Sequence, residues 1–241
     1  VIDGDQFVIN GQKIWTTMAH DATHIYLLVR TDKDAKKQKG ISFLLVDLKT
    51  PGITIRPIRN IAGHEEFCEV FFDNVRVPRD ALVGNLNEGW TVAKALLGFE
   101  RLNIGSPRRP QYALMRLEML ARAKGLFDDA GFVDRYTAIR LDLEDLASLY
   151  GRYVEQVKRG EPLGQDVSSL KIWAMEAWQR LTELLVETGA EDGVVEGAHD
   201  FDGVEIDFLA PFYYSRPGTI YGGSSEVQRN ILSKYVLQLP S

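Results

Sequence analysis

The hydrophobic period of this chain changes near Pro78. Before that residue, short runs of alternating apolar and polar residues follow one another, rich in β-branched and aromatic side chains. After it, apolar residues recur at steps of three and four over most of the remaining chain. Alternation is typical of a strand with one buried face, whereas steps of three and four are typical of a helix. The sequence therefore predicts an α+β protein in which the β part precedes the helical part.

The β part is predicted to be antiparallel. Asp3-Gly4 and Asn10-Gly11 are hairpin turn dipeptides, and the apolar runs are bounded by Gly, Pro, Asp or Asn. No helical segment separates the runs, which favours an antiparallel β-sandwich or barrel over a parallel sheet. The predicted strands cover residues 7–9, 13–17, 24–30, 41–48, 53–58 and 68–77. This domain is expected to span residues 1–84.

The helical part is predicted to be an antiparallel four-helix bundle that spans residues 85–241. Short loops that contain Gly or Pro separate four long periodic segments, which favours antiparallel neighbours. These segments cover about 87–105, 111–124, 132–158 and 165–188. The acidic segment 189–214 lacks a clear period, and a last helix is predicted at about 224–236.

Composition excludes several classes of protein. With 45% hydrophobic and 26% charged residues in 241, the chain can bury a sizeable core, which argues against disorder. Its net charge of -6 argues against nucleic-acid binding. No apolar run approaches the roughly 18 residues of a membrane span, and no signal peptide is evident. Together with a single cysteine, Cys68, these features favour a cytoplasmic protein.

Two common kinds of catalytic centre have no support in the sequence. The four histidines lack the spacing of metal ligands, and no pair of cysteines accompanies them, so no metal site is predicted. The sequence also lacks the G-x-S-x-G motif, so nothing supports a serine hydrolase.

One acidic residue lies on the apolar face of the first predicted helix. The residues of that face recur at three- and four-residue steps: Trp90, Ala93, Leu97, Glu100 and Ile104. A buried carboxylate needs an ion-pair partner, stays protonated, or serves as a proton acceptor in a dry pocket. The pattern alone leaves both a structural and a catalytic role open for Glu100.

Five segments, taken in order, resemble the acyl-CoA dehydrogenase family of flavoproteins. They are NGQKIWTTMAHDATHIYLLVR, GISFLLVDLKTPGITIRPI, EVFFDNVRVPRDALVGNLNEGW, LLGFERLNIG and SRPGTIYGGSSEVQRNILSKYVLQLP. The resemblance implies the middle β domain and the C-terminal four-helix bundle of that family. It also implies that the family's N-terminal helical domain would precede Val1 and is missing from this sequence.

The resemblance implies FAD-dependent oxidation of an acyl-CoA thioester. In that chemistry a carboxylate removes the α-proton while the β-hydrogen leaves as hydride to flavin N5, and the product is a 2-enoyl-CoA. The family also implies a role in fatty acid and lipid degradation, with electron-transfer flavoprotein as the electron acceptor. A homodimer or tetramer is expected, or else a heterotetramer.

The resemblance implies a position for the catalytic base. Many members carry it between the Tyr and Gly of a YEG turn, but that position here is Gly222, which cannot accept a proton. Other members carry it on the first bundle helix, immediately before an Arg, which matches Glu100-Arg101. Glu100 is therefore predicted to be the base, with Arg101, Tyr221, Gly222 and Gly223 on the substrate side. For Arg101, a structural salt bridge is the alternative.

Two segments match positions that contact FAD in the family. Trp15, Thr16 and Thr17 match residues that pack on the flavin ring and hydrogen-bond to it. Ser224 and Glu226 match positions near the adenosine and pyrophosphate, which are often reached from a neighbouring subunit. A core tryptophan and an ordinary helix N-cap are the alternatives that the residues themselves leave open.

Two departures from the family pattern concern the FAD diphosphate. The R-x-x-F-G motif of many relatives aligns with Lys124 and Phe127, and lysine lacks the bidentate fork of arginine. The Q-x-x-G-G-x-G turn aligns poorly with the more acidic residues 187–194. These departures support an alternative, a non-catalytic partner subunit of a heteromeric acyl-CoA dehydrogenase. An acyl-CoA oxidase is a third interpretation, which the sequence does not distinguish from a dehydrogenase.

Overall fold

The computed structural model describes residues 1–240, and for residues 96–100 it describes the helical backbone but not the side chains. The chain divides into two compact units, Val1–Leu97 and Gly98–Ser241. The predicted domain boundary near residue 84 stays a prediction.

The first unit contains two antiparallel sheets. Its strands are β1 (Ile2–Asp3), β2 (Gln6–Thr17), β3 (His24–Arg30), β4 (Ile41–Asp47), β5 (Ile53–Ile58), β6 (Phe67–Pro78) and β7 (Leu82–Val83). One sheet has the order β1-β2-β6-β5 and the other has the order β3-β4-β7. Inward side chains from both sheets, such as Phe7, Leu27, Leu44 and Val70, form one buried core. The unit is therefore a β-sandwich, which confirms the predicted fold class.

The second unit is helical. Its long helices are α1 (Gly89–Ile104, which begins in the first unit), α2 (Arg108–Ala123), α3 (Ala130–Lys158) and α4 (Ser168–Gly189). Their apolar stripes meet in a core that includes Leu117, Leu120, Leu146, Leu170 and Leu181, each fully buried. The helical fold class predicted from the 3.6-residue period is confirmed.

Helix α2 begins three residues earlier than predicted. Pro110 lies in the first turn of the helix. Backbone N–H groups in that turn have no intrahelical acceptor, so a residue without an N–H costs nothing there. Helix α3 also begins earlier than predicted, because the Asp129 carboxylate accepts a hydrogen bond from the Phe132 N–H and caps it.

The acidic segment after α4 is ordered, contrary to the lapse in pattern that the sequence suggests. It forms a hairpin of β8 (Ala198–Phe201) and β9 (Val204–Asp207), followed by the short helix α5 (Leu209–Ser215). The edge of the Phe201 ring faces Phe208, with centroids 5.8 Å apart, and Phe208 is fully buried in the bundle core. A last helix, α6 (Ser225–Ile231), continues into a π-helical turn at Leu232–Val236, which confirms the helix predicted near Ser224.

The described residues lack two kinds of feature. None of their helices combines the length and apolarity needed to cross a bilayer. They also contain no group of three or more His, Cys, Asp or Glu side chains placed to hold a metal ion.

Candidate active site

The turn between α5 and α6 contains two consecutive glycines in the left-handed region. Gly222 has φ of 63° and Gly223 has φ of 85°. Glycine adopts this conformation without strain, whereas a side chain with a Cβ costs free energy there. The two glycines therefore allow the chain to reverse tightly before α6.

Gly222 is packed against the end of α1. A Cβ added to Gly222 would lie 2.6 Å from Ile104 Cδ1, closer than such atoms approach in proteins. Ile104 lies one helical turn after Glu100, so both residues occupy the same face of α1. The turn that contains Gly222 thus contacts the helix that carries Glu100. The Glu100 side chain itself lies outside the described residues, so its burial stays a prediction.

Two buried side chains hold the carbonyls of this turn. Lys171 of α4 donates from Nζ to the Gly223 carbonyl oxygen over 2.8 Å, and only 2% of Lys171 is exposed. Gln228 of α6 donates from Nε2 to the Gly222 carbonyl oxygen over 3.1 Å. Burial lowers the pKa of the Lys171 ammonium. Neither residue was predicted as a site residue.

The other predicted substrate residues have partners within the bundle. Arg109 donates to the Tyr221 hydroxyl, and its guanidinium lies over the Trp178 ring, 5.3 Å from the centroid. Arg101 donates from Nη1 to the Gln165 side-chain oxygen, a neutral acceptor, over 2.8 Å. The side chains of Tyr221 and Arg101 are therefore held by partners within the second unit.

Ser224 and Glu226 form the start of α6. The Ser224 hydroxyl accepts a hydrogen bond from the Val227 N–H and acts as the N-cap. The Glu226 carboxyl accepts hydrogen bonds from the Ser224 side chain and from the backbone N–H of Glu226 itself. These hydrogen bonds hold the pKa of the Glu226 carboxyl below its usual range. Glu226 is therefore an exposed anion at neutral pH. Such a charge would repel a diphosphate placed beside it.

Trp15, Thr16 and Thr17 lie at the end of β2 in the sandwich. The register between β2 and β6 shifts between Lys13 and Thr16, and Trp15 has φ of 60°. This bulge leaves the indole 62% exposed, with its ring 6.2 Å from Phe67 in an edge contact. The alternative of a core tryptophan does not hold, because a core side chain is buried.

Lys124 and Phe127 lie together beyond the end of α2. The Lys124 ammonium donates to the carbonyl oxygens of Thr188 (2.9 Å) and Gly189 (3.1 Å), at the C-terminal end of α4. A cation is favourable there because the last carbonyls of a helix lack intrahelical donors. Phe127 packs edge-on against Phe132 and Tyr136. Both contacts are explained by the packing of the bundle.

Comparison with known proteins identifies the family. The family model "Acyl-CoA dehydrogenase, middle domain" matches residues 1–75, and "Acyl-CoA dehydrogenase, C-terminal domain" matches residues 87–237. The second match covers more than half of the chain. This protein belongs to the acyl-CoA dehydrogenase family. That family consists of oxidoreductases and is generally FAD-dependent.

Several family members are similar over nearly the whole chain. Acyl-CoA dehydrogenase IpdE1 of Mycobacterium tuberculosis is 40% identical over 99% of the chain, and its counterpart from Mycolicibacterium smegmatis is 38% identical over 98%. The chain spans 61% and 59% of the length of these two relatives.

Two solved structures share the fold along the chain. A protein described as "Tcur3481-Tcur3483 steroid ACAD" superposes with a TM-score of 0.90 and 26% identity, covering 99% of this chain and 62% of its own. A chain of the ChsE4-ChsE5 complex from Mycobacterium tuberculosis gives 0.85 and 26%, covering 100% and 63%.

Proposed function

We propose that the full-length protein catalyses the FAD-dependent α,β-dehydrogenation of an acyl-CoA, with Glu100 as the base. The observation that carries this proposal is the contact between Gly222 and Ile104. The base position of the turn has no side chain, and a Cβ there would meet the helix that carries Glu100. The absence of a side chain at position 222 and the presence of a glutamate one helical turn before Ile104 in the sequence are both explained if Glu100 is the base.

In this reaction Glu100 accepts the α-proton of the thioester. The α and β C–H bonds break, a carbon–carbon double bond forms between the two carbons, and the product is a 2-enoyl-CoA. FAD, when bound, supplies the acceptor for the β-hydrogen and its electron pair.

The described residues fit the flavin ring better than they fit the diphosphate. The exposed indole of Trp15 offers a flat apolar surface on which an aromatic ring system can pack, and the neighbouring Thr16 and Thr17 carry hydroxyls. In contrast, the ammonium of Lys124 already donates to two carbonyls, and Glu226 is an anion. The ring contact is therefore the part of FAD binding that this chain supports directly.

Trp15→Ala should lower FAD affinity by about tenfold while leaving the fold intact. The stacking surface is lost, and stacking on a tryptophan contributes about 1 kcal/mol or more. The indole is mostly exposed, so little core packing is lost with it. FAD titration followed by flavin fluorescence, with the thermal midpoint of the apoprotein, measures both effects. Tyr26→Ala, at another exposed aromatic of the sandwich, is the control and should not change FAD affinity. If the FAD affinity of Trp15→Ala is unchanged, the flavin ring does not pack on Trp15.

The activity itself is tested on the full-length protein with FAD added. An acyl-CoA substrate mixed anaerobically should bleach the visible flavin bands, and the panel should range from short chains to polycyclic acyl groups. The polycyclic members are included because one solved neighbour is described as a steroid enzyme. Absence of flavin bands, even with FAD in excess, would reject a catalytic homo-oligomer. Oxygen consumption during turnover would distinguish an oxidase from a dehydrogenase that passes electrons to electron-transfer flavoprotein.

The placement of Lys124 favours a second candidate function, a partner subunit in a heteromeric enzyme. If Lys124 bonds only to the carbonyls at the end of α4 and does not bind a diphosphate, one of the FAD sites shared between subunits lacks a cation. Two solved neighbours are named as pairs of proteins, which is compatible with this alternative. Purification with a second chain, and one FAD per two subunits, would support it. One FAD per identical subunit would exclude it.

Lys124→Met should lower stability by about 1 kcal/mol and leave FAD affinity nearly unchanged. Two helix-terminal carbonyls lose a charged donor, and such surface contacts contribute about that much. Urea unfolding and FAD titration measure the two quantities. The control is Lys158→Met, an exposed lysine paired with Glu155, which should change neither quantity by much. A tenfold loss of FAD affinity at unchanged stability would show instead that Lys124 binds the diphosphate.

A further inference from the structure

Lys171 is a buried cation that the proposed reaction does not use. It lies on α4 four residues after Val167 and four before Met175, and both neighbours are almost fully buried. Transfer of an ammonium from water to such a place is unfavourable unless other groups compensate. A hydrophobic residue at this position would avoid that cost. The cation therefore needs a reason other than core packing.

The compensating contact is a main-chain carbonyl of the glycine turn. Lys171 Nζ lies 2.8 Å from the Gly223 oxygen, a charge-assisted hydrogen bond. Glu176 and Glu226 also favour the charged form of the ammonium, which opposes the lowering of its pKa by burial. The lysine is thus directed at the backbone of the turn, and not at a carboxylate in direct contact.

The turn depends on such contacts because of its composition. Two consecutive glycines have more backbone freedom than any other pair of residues, so the observed conformation must be imposed from outside. The Gly223 carbonyl is held by Lys171 and the Gly222 carbonyl by Gln228. A third contact on the turn is the packing of Gly222 against Ile104 of α1. Of these groups, Lys171 is the only one that brings a full charge.

We propose that Lys171 is a positioning residue that holds the glycine turn against the helix carrying Glu100. This proposal rests on the proposed function, in which Glu100 on α1 is the base. When Lys171 holds the Gly223 carbonyl, the turn keeps one conformation as substrate arrives. Without that donor, the two glycines sample several conformations and the acyl group is misaligned with the base.

The experiment compares three variants of the full-length protein with FAD bound. Lys171→Met removes the ammonium and keeps the length and apolar bulk of the side chain. Lys171→Arg keeps a cation that can donate to the Gly223 carbonyl. Thr182→Val is the control on the same helix, because the Thr182 hydroxyl bonds to Ser215 (2.9 Å), Gln179 and Arg216, none of which belongs to the glycine turn. Rapid mixing with acyl-CoA gives the limiting rate of flavin bleaching and the substrate affinity.

Lys171→Met should lower the limiting bleaching rate by about tenfold to a hundredfold, with a smaller change in affinity, since misalignment acts mainly on the reacting geometry. Lys171→Arg should recover part of that loss, and Thr182→Val should bleach at the parent rate. A parent rate in Lys171→Met would overturn the proposal. So would equal losses in Lys171→Met and Thr182→Val that follow their thermal midpoints, because a purely structural role predicts that pattern.

Amide hydrogen exchange tests the same contact without any activity. Peptides that cover residues 218–226 should exchange faster in Lys171→Met than in the parent or in Thr182→Val. This measurement remains decisive if no acyl-CoA bleaches the parent protein, which would reject the proposed function but not the contact. Unchanged exchange in those peptides would show that Lys171 does not hold the turn.

Discussion

Glu100→Gln should reduce the rate of flavin bleaching by acyl-CoA about a thousandfold, because general-base catalysis contributes about 10² to 10⁴ in rate. The amide has nearly the shape of the carboxylate but cannot accept the α-proton. Substrate affinity should change less than about threefold, because the change removes a proton acceptor needed in the transition state and little ground-state binding. Anaerobic stopped-flow mixing measures the rate, and the initial spectral shift of the flavin reports binding.

The matched control for this variant is Glu118→Gln on α2. Glu118 accepts hydrogen bonds from Arg122 (2.7 Å) and from the Tyr136 hydroxyl (3.1 Å). These contacts hold the pKa of the Glu118 carboxyl below its usual range, so the same chemical change removes a carboxylate that is charged at neutral pH. Its bleaching rate should equal that of the parent. If Glu100→Gln bleaches as fast as Glu118→Gln, then the base is another residue.

The change of hydrophobic period was enough to predict the architecture. Long helices such as α3 and α4 repeat their apolar stripes over many turns, so the pattern outweighs local exceptions. The hairpin of β8 and β9 was missed although its turn, Asp202-Gly203, is a typical hairpin dipeptide. Its strands have only four residues each, and the surrounding acidic side chains obscured the alternation. Short elements stabilised by tertiary contacts, here Phe201 on Phe208, give weak local signals.

The candidate site shows a different limit of sequence reasoning. Glu100 was noticed because a charge interrupts an apolar stripe, and Lys171 interrupts the stripe of α4 in the same way, between Val167 and Met175. The signal was present, but the partner of Lys171 is a backbone carbonyl 52 residues away. Every residue has such a carbonyl, so no side-chain pattern identifies the one that is contacted. The sequence therefore shows that a buried charge needs a partner, whereas only the fold shows which atom is that partner.

Gly222→Glu should not add a second base, and it should lower the bleaching rate of the parent at least about a hundredfold. A non-glycine residue at φ of 63° costs about 1–2 kcal/mol. In addition, its Cβ would lie 2.6 Å from Ile104 Cδ1, and overpacking of this kind costs about 1–3 kcal/mol. The turn or Ile104 must move, and a displacement of about 1 Å near reacting atoms can cost a hundredfold in rate. The bleaching rate and the thermal midpoint together measure the effect.

The cost of the contact can be separated from the cost of the backbone conformation. Gly160→Glu is the control for the backbone, because Gly160 has φ of 75° and an added Cβ would meet no atom within 4 Å. It should lower stability slightly and leave the bleaching rate unchanged. Adding Ile104→Ala to Gly222→Glu removes the Cδ1 atom and should restore part of the lost rate, a non-additive result expected for residues in contact. The same two changes can be made in a Glu100→Gln variant. Bleaching of the flavin by that triple variant would show that a carboxylate on the turn reaches the α-carbon of the acyl-CoA. If Gly222→Glu alone restores bleaching in the Glu100→Gln variant, the turn has room for a side chain. Steric exclusion by Ile104 would then not explain the absence of a side chain at position 222.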